Sequence, residues 1–138
     1  MKIRAYQAAD QQALIDLWAE CGLVVSWNNP QKDIQRKLAV GADLFLVGEL
    51  NGVLMATVMG GYEGHRGWAN YLAIKPDLQG KGYAGVLMTE LESRLLAKGC
   101  PKINLLVRDT NIDVVRFYEA LGYKADACTS LGKRLIPD

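Results

Sequence analysis

The segment Leu78-Gln79-Gly80-Lys81-Gly82-Tyr83-Ala84-Gly85 lies between a predicted strand and a predicted helix, and the interpretation of the whole chain depends on it. Unpaired N–H groups at a helix N-terminus carry the positive end of the helix dipole, and glycines let an anion approach them closely. Several glycines at a helix start also cost conformational entropy, which disfavours a purely structural turn. The segment therefore predicts a loop that binds phosphate or pyrophosphate, with an ordinary helix-entry turn as the alternative.

The composition bounds what this loop can belong to. The chain has 138 residues, with 16 Lys and Arg against 15 Asp and Glu and a net charge of +1. Since a domain averages about 150 residues, we expect a single domain over residues 1–138. A near-neutral chain has no global field that would hold nucleic acid or an anionic membrane, so neither is an expected partner and any anion site must be local.

The ends of the chain and its cysteines predict a cytoplasmic protein without a metal site. The N-terminus lacks a secretory h-region, and no uncharged apolar stretch approaches the roughly 20 residues that span a bilayer. Cys21, Cys100 and Cys128 form no CxxC pair, which argues against a disulfide framework or structural zinc. The single histidine, His65, excludes sites that need several histidine ligands.

Periodicity and turn residues place the other elements. The spacing predicts strands over 2–6, 44–47, 53–58, 68–75, 103–107 and 128–136. It predicts helices that begin at the caps Asp10 and Asn29, at the glycine segment and at Asn111. Asn51-Gly52 predicts a tight hairpin. The order of these elements indicates an α+β fold with a mixed sheet.

The glycines also spell a dinucleotide-binding motif. Gly80, Gly82 and Gly85 match GxGxxG, so a nicotinamide-dependent oxidoreductase is one hypothesis. In a Rossmann unit the first glycine follows the strand almost directly, and an acidic residue about 20 positions later binds the ribose. Here residues 76–79 intervene, and Cys100 and Pro101 lie where the acid should be. This hypothesis is therefore the weaker one.

Two motifs resemble the GNAT superfamily of acyl-CoA-dependent N-acyltransferases. The segment from Gln79 to Ala84 is similar to the family's phosphate-binding signature of Gln or Arg, two residues, Gly, one residue, and Gly or Ala. The segment from Asn111 through Tyr118 to Tyr123 is similar to the pattern of Asn, six residues, Tyr, three residues, Gly and an aromatic residue. The resemblance covers essentially the whole chain, and segments 27–30, 59–62, 64–67 and 130–135 look like the small bacterial YpeA-type members. Val114 departs from the small residue that many members carry.

The resemblance implies an α/β/α sandwich with a mixed central sheet of about six to seven strands and about four flanking helices. It implies a splayed pair formed by strands 68–75 and 103–107, with acetyl-CoA as cosubstrate and no metal. The pantetheine arm would lie against Leu72, Ala73 and Ile74, with Asn111 hydrogen-bonding the arm. The pyrophosphate would lie on the backbone of Gln79, Gly80, Lys81, Gly82, Tyr83, Ala84 and Gly85.

The resemblance also implies the chemistry, which is acetyl transfer to an amine by direct attack in a ternary complex. Tyr118 would be the general acid, although a helix aromatic in the core is its structural alternative. A backbone N–H near Leu72 would polarise the thioester carbonyl. The fourth strand contains no acidic residue at 68–72. Glu63 is the preferred candidate for the general base, with His65, or Tyr71 acting through a water chain, as alternatives.

The acceptor is less determined by the sequence. Trp27, Tyr62 and Trp68 predict an apolar or cationic acceptor site, with loop anchoring or a homodimer contact as the alternative. Glu20, Asp33 and Glu63 are acids that would favour a cationic amine. A small-molecule amine, a peptide N-terminus and a protein lysine all fit as acceptors. Because the fourth strand lacks an acid, an acyl-CoA-binding sensor without turnover is the alternative function.

Overall fold

The computed structural model describes residues 1–138, and a five-stranded mixed sheet organises its first 105 residues. The strands follow one another in the sheet in chain order. Strands β1 to β4 pair antiparallel and β5 pairs parallel to β4. Their bounds are β1 Lys2–Ala5, β2 Phe45–Leu50, β3 Val53–Tyr62, β4 Gly67–Ile74 and β5 Ile103–Asn104.

The chain divides into two compact units, Met1–Leu105 and Leu106–Asp138, and the sheet belongs to the first. The first unit contains α1 Gln11–Glu20, α2 Pro30–Val40 and α3 Tyr83–Ala97, and the second contains α4 Ile112–Ala120. None of these helices is long and apolar enough to pass through a bilayer.

The helices of the first unit cover both faces of its sheet. Leu14 and Trp18 of α1 and Ile34 of α2 share a buried cluster with Val47 of β2 and Ala73 of β4. On the opposite face, α3 packs so closely that a Cβ atom on Gly60 would lie 2.7 Å from the Leu44 carbonyl oxygen and still closer to the Leu91 side chain. Successive side chains of a strand point to opposite faces, so one sheet serves both cores.

A bulge interrupts β4 opposite the middle of β3. Thr57 pairs with Ala73, but Met59 pairs with Asn70, so Tyr71 and Leu72 together face one residue of β3. Tyr71 adopts a positive φ of 52°, which is rare for a bulky side chain. An extra residue of this kind bends a strand and re-aims its side chains.

The parallel pairing of β4 and β5 is short. It includes only Gly67 with Ile103 and Trp68 with Asn104. From Ala69 to Ile74, therefore, β4 has no partner strand on the edge that points away from β3. Because β5 ends at Asn104, the divergence of strands 68–75 and 103–107 stays a prediction.

Two local signals are confirmed. Asn51 and Gly52 both take positive φ, 53° and 78°, and connect β2 to β3 as the hairpin signal predicts. The Asn29 side chain accepts a hydrogen bond from the Lys32 N–H and caps α2, with Pro30 in its first turn. The α+β class and the four α-helices are also confirmed.

The predicted strand count is wrong. The sheet has five strands rather than six to seven, because residues 128–136 form no strand and the 103–107 strand shortens to Ile103–Asn104. Apolar alternation makes a strand only where another strand supplies hydrogen bonds. The side chains of Leu131, Leu135 and Ile136 are exposed in the second unit instead. Asp10 precedes α1 as predicted, but its carboxylate accepts from the Gln7 N–H and from Arg4 rather than capping the helix.

Candidate active site

The open edge of β4 presents backbone groups that no strand uses. The Lys75 N–H donates to the Met55 carbonyl at 2.8 Å, so Lys75 points its backbone groups toward β3. Backbone groups alternate between the two edges of a strand, which directs those of Ala73 toward β3 and those of Leu72 away from it. Among the residues predicted to bind the cofactor arm, Leu72 and Ile74 are therefore the two whose backbone groups are directed toward the open edge.

The side chain of Gln79 connects this edge to the glycine segment. Gln79 Nε2 donates to the Ile74 carbonyl oxygen at 2.9 Å, and Cys21 Sγ contacts the same oxygen at 3.2 Å. The Ile74 carbonyl is consequently occupied by the protein's own side chains. The first residue of the signature thus positions the loop relative to the strand.

The glycine segment has the conformation that an anion-binding loop requires. Gly80 and Gly82 adopt φ values of 75° and 87°, and Gly82 is the N-cap of α3 in the left-handed region. A Cβ atom at either position would meet nothing within 4 Å, so the space beside the loop is open. The first N–H groups of α3, from Tyr83 onward, have no acceptor within the helix. Lys81 is exposed and adds a positive charge.

The second unit holds the two residues of the other motif. Tyr118 lies in α4 and is 8% exposed, with its ring 5.0 Å from that of Phe117 and 5.5 Å from that of Tyr123 between centroids. Burial raises the pKa of Tyr118 to about 12. Asn111 occupies the N-cap position of α4, but its side chain makes no cap hydrogen bond and is exposed.

Glu63 and His65 lie in the exposed connection between β3 and β4. The Glu63 carboxylate accepts a hydrogen bond from the Arg66 N–H, which closes the turn. His65 is exposed, and its carbonyl accepts from Arg66 Nη1 at 2.9 Å. The structure thus places Glu63 at the tip of a hairpin, with part of its hydrogen-bonding capacity used locally.

The aromatic residues predicted for the acceptor site occupy different places. Trp27 is half exposed in the connection between α1 and α2. Tyr62 pairs with Gly67, beside which Leu95 of α3 packs, whereas Trp68 pairs with Gly61, beside which Lys37 of α2 lies. Residues paired across two antiparallel strands share a face. Tyr62 and Trp68 therefore lie on opposite faces of the sheet, and Trp68 is on the face that carries α2.

One contact at the bulge was absent from the sequence prediction. Tyr71 Oη donates a hydrogen bond to Asp33 Oδ2 at 2.6 Å, joining β4 to α2. The Tyr71 ring stacks on Trp18 of α1 at a centroid distance of 3.9 Å. Asp33 and Tyr71 were separate candidates, and no periodicity could pair residues 38 positions apart. No group of three or more His, Cys, Asp or Glu side chains is arranged to hold a metal ion.

The chain is similar to known proteins over most of its length. Residues 6–123 match the model of the acetyltransferase (GNAT) family. An acetyltransferase of Pectobacterium atrosepticum is 51% identical over 138 residues, covering 100% of this chain and 98% of the relative.

Solved structures show the same fold at low identity. The ribosomal-protein-S18-alanine N-acetyltransferase of Escherichia coli is similar with a TM-score of 0.74 at 20% identity, over 88% of this chain and 76% of that one. AAC(6')-Iy in complex with the bisubstrate analogue CoA-S-monomethyl-acetylneamine gives a TM-score of 0.76 at 16% identity, over 96% and 97% of the two chains. The family match spans most of the chain and both motifs, and the chain therefore belongs to the acetyltransferase (GNAT) family.

Proposed function

We propose that this acetyltransferase moves an acetyl group from acetyl-CoA to a primary amine by direct attack in a ternary complex. The observation that carries the proposal is the open glycine loop at the start of α3, which the Gln79 side chain connects to the unpaired edge of β4. A pyrophosphate suits the loop and an extended amide-containing arm suits the edge. Residues 1–138 would act as one domain, since the family match extends through both units.

The cosubstrate contacts follow from these two features. The N–H groups from Gln79 to Gly85 would receive the pyrophosphate, with Lys81 as an outer charge. The arm would lie along Leu72, Ala73 and Ile74, where the outer edge of β4 has no partner strand. Asn111, whose side chain makes no cap hydrogen bond, would bind the arm through its amide.

Acetyl transfer needs a donor for the developing oxyanion and a donor for the departing sulfur. The Leu72 N–H would serve the oxyanion, because Leu72 lies in the bulge and no strand pairs with the outer edge of β4 there. Tyr118 would serve the sulfur. With its pKa raised to about 12, the phenol stays protonated at neutral pH and is a donor rather than a base.

The raised pKa of Tyr118 also limits what the hydroxyl does. A thiol has a pKa of about 8.5, so complete proton transfer from the phenol to a free thiolate is uphill. The hydroxyl would therefore act mainly by donating a hydrogen bond to sulfur as negative charge develops, and the thiolate would take its final proton from solvent. Glu63, His65, or Tyr71 acting through a water chain, are the candidates that accept the proton of the amine. A cytoplasmic location and a homodimer remain predictions of the sequence.

The test is acetyl transfer to a panel of small amines, peptide N-termini and lysine peptides, followed as release of free CoA. We expect transfer to at least one class. Tyr118→Phe should lower kcat by about tenfold to a hundredfold without changing acetyl-CoA affinity, because it removes only the donor to sulfur. An unchanged kcat in this variant would exclude Tyr118 from the reaction. Tight calorimetric binding of acetyl-CoA without transfer to any acceptor would instead favour a sensor.

A further inference from the structure

A hydrogen bond joins a phenol and a carboxylate at the bulge of β4, at the residue before Leu72. Tyr71 directly precedes Leu72 in the bulge of β4, and its hydroxyl donates to Asp33 Oδ2 at 2.6 Å. A phenolic oxygen that donates its proton keeps its lone pairs to accept another. The pair can therefore take up a proton at Tyr71 and pass one on to Asp33.

The structure holds both residues in place from several sides. The Tyr71 ring stacks on the buried Trp18 at 3.9 Å and with an interplanar angle of 13°. The Asn29 cap and Pro30 define the start of α2 and place Asp33 in its first turn. Tyr71 has a strained φ of 52°. Backbone strain at a bulky residue is kept where the surrounding structure enforces it, and it concentrates at functional sites.

The carboxylate of Asp33 remains within reach of a ligand. Its side chain is 22% exposed, and its charged neighbour is Arg36 on the same helix, with Arg36 Nη1 3.9 Å from Asp33 Oδ1. The Arg36 side chain is itself 49% exposed. Tyr71 from β4 and Arg36 from α2 are the titratable and charged groups that lie against the Asp33 carboxylate.

Tyr71 lies nearer the proposed oxyanion donor than Glu63 does. Tyr71 is the residue next to Leu72, whereas Glu63 follows the Tyr62–Gly67 pair that ends the hairpin. Tyr71 lies four positions after Gly67 along the strand, which is about 13 Å at the usual rise. The Glu63 carboxylate also closes its own turn with Arg66.

We propose that Tyr71 and Asp33 form the relay that takes the proton from the acceptor amine. The substrate class is then a primary amine that arrives as a cation. This proposal rests on the N-acetyl transfer proposed above. An N–H bond of the ammonium group breaks as its proton moves to Tyr71 Oη. The proton of Tyr71 moves at the same time to Asp33 Oδ2, and the freed nitrogen lone pair attacks the acyl carbon, whose C=O π electrons move to the oxygen. When this tetrahedral intermediate collapses, the carbonyl re-forms, the C–S bond breaks, CoA leaves as the thiolate, and the second ammonium proton passes from nitrogen to solvent. Asp33 then releases the proton to solvent. Tyr71 is the catalytic residue and Asp33 its proton-accepting partner.

The experiment measures kcat and KM for an amine that the wild type acetylates, from pH 7 to about pH 9.5, in Asp33→Asn, Tyr71→Phe and the double variant. Both single variants keep the shape of the side chain, and Tyr71→Phe keeps the stack on Trp18. Each should lower kcat at pH 7 by about tenfold or more and leave the KM for acetyl-CoA unchanged. Since both break one relay, the double variant should be no slower than the slower single variant.

The pH series separates a relay from a structural role. A primary amine has a pKa of about 10.4, so more of it arrives already neutral at about pH 9.5 and the need for a relay declines. The defects of both variants should shrink as the pH rises. Asp16→Asn, a change of the same kind on the exposed face of α1, should match the wild type throughout.

Every other outcome overturns the relay, alone or together with the proposed N-acetyl transfer. A defect in Asp33→Asn that is equal at all pH values, or wild-type kcat in both single variants, overturns the relay while leaving N-acetyl transfer intact. Loss of kcat in Glu63→Gln together with normal rates in Asp33→Asn would assign the general base to Glu63, and this result also overturns the relay. A wild type that binds acetyl-CoA but acetylates no amine overturns the proposed function and the relay together.

Discussion

At the scale of single residues, burial decides the chemistry of Tyr118. The phenol is 8% exposed, and desolvation raises its pKa to about 12. The neutral form is therefore the one present at physiological pH, whatever the role of the hydroxyl. A tyrosine in this state serves as a hydrogen-bond donor to an anion such as a departing thiolate.

The pKa of Tyr118 also predicts a pH dependence of stability. In the unfolded chain the phenol loses its proton near pH 10, but in the folded chain it keeps the proton up to about pH 12. Between these values the unfolded state binds fewer protons, so the free energy of unfolding must fall as the pH rises. The urea midpoint of the wild type should fall more between about pH 9 and pH 11.5 than that of Tyr118→Phe. Equal falls would show that Tyr118 titrates normally in the folded chain.

At the scale of elements, the packing of α3 against β3 depends on one glycine. A Cβ atom on Gly60 would meet the Leu44 carbonyl oxygen at 2.7 Å and also the Leu91 side chain. The oxygen is part of the backbone and cannot turn away, so α3 or the strand has to shift. The absence of a side chain at Gly60 is what permits this separation between helix and sheet.

We therefore expect Gly60→Ala to lower the free energy of unfolding by about 1–3 kcal/mol, as overpacking of a core does. Gly132→Ala is the matched control, because a Cβ atom there meets nothing within 4 Å. It should change stability by no more than about 0.5 kcal/mol. Urea unfolding of both variants measures the difference, and equal stabilities would show that α3 adjusts without cost.

Element prediction succeeded where the cause was local. Asn51-Gly52 forms its turn because both residues tolerate positive φ, and Asn29 caps α2 through its own side chain. The strand predicted at 128–136 failed for the opposite reason. Its apolar residues have the pattern of a strand, but hydrogen-bonding partners come from another segment, which the pattern does not report.

At the scale of the whole molecule, a net charge of +1 leaves anion binding to local dipoles. A ligand that binds only the folded state raises its stability by about 2.7 kcal/mol at 100 times Kd. For a chain of this size that is about 5–10 °C in Tm. We expect acetyl-CoA to produce such a shift and NADH to produce none.

A variant of the glycine loop is the control for this shift in Tm. Gly82 has a φ of 87°, which is unfavourable for a residue with a Cβ atom. In Gly82→Ala the loop is therefore strained, and the gain in Tm with acetyl-CoA should be smaller than in the wild type. Stabilisation by NADH and not by acetyl-CoA would instead support the nicotinamide-dependent oxidoreductase that the GxGxxG motif suggests. Thermal unfolding with each ligand distinguishes the two.

The amino-acid order by itself determined the family, the phosphate loop and the candidates Tyr118 and Asn111, because each is a pattern of neighbours along the chain. It also determined the helix caps and the hairpin, since their hydrogen bonds join residues a few positions apart. Only the tertiary structure decided that a bulge places Leu72 on an edge of β4 without a partner strand, that Tyr62 and Trp68 lie on opposite faces, and that Asp33 contacts Tyr71. Strand register and the bulge set those relations, and both depend on contacts between distant segments.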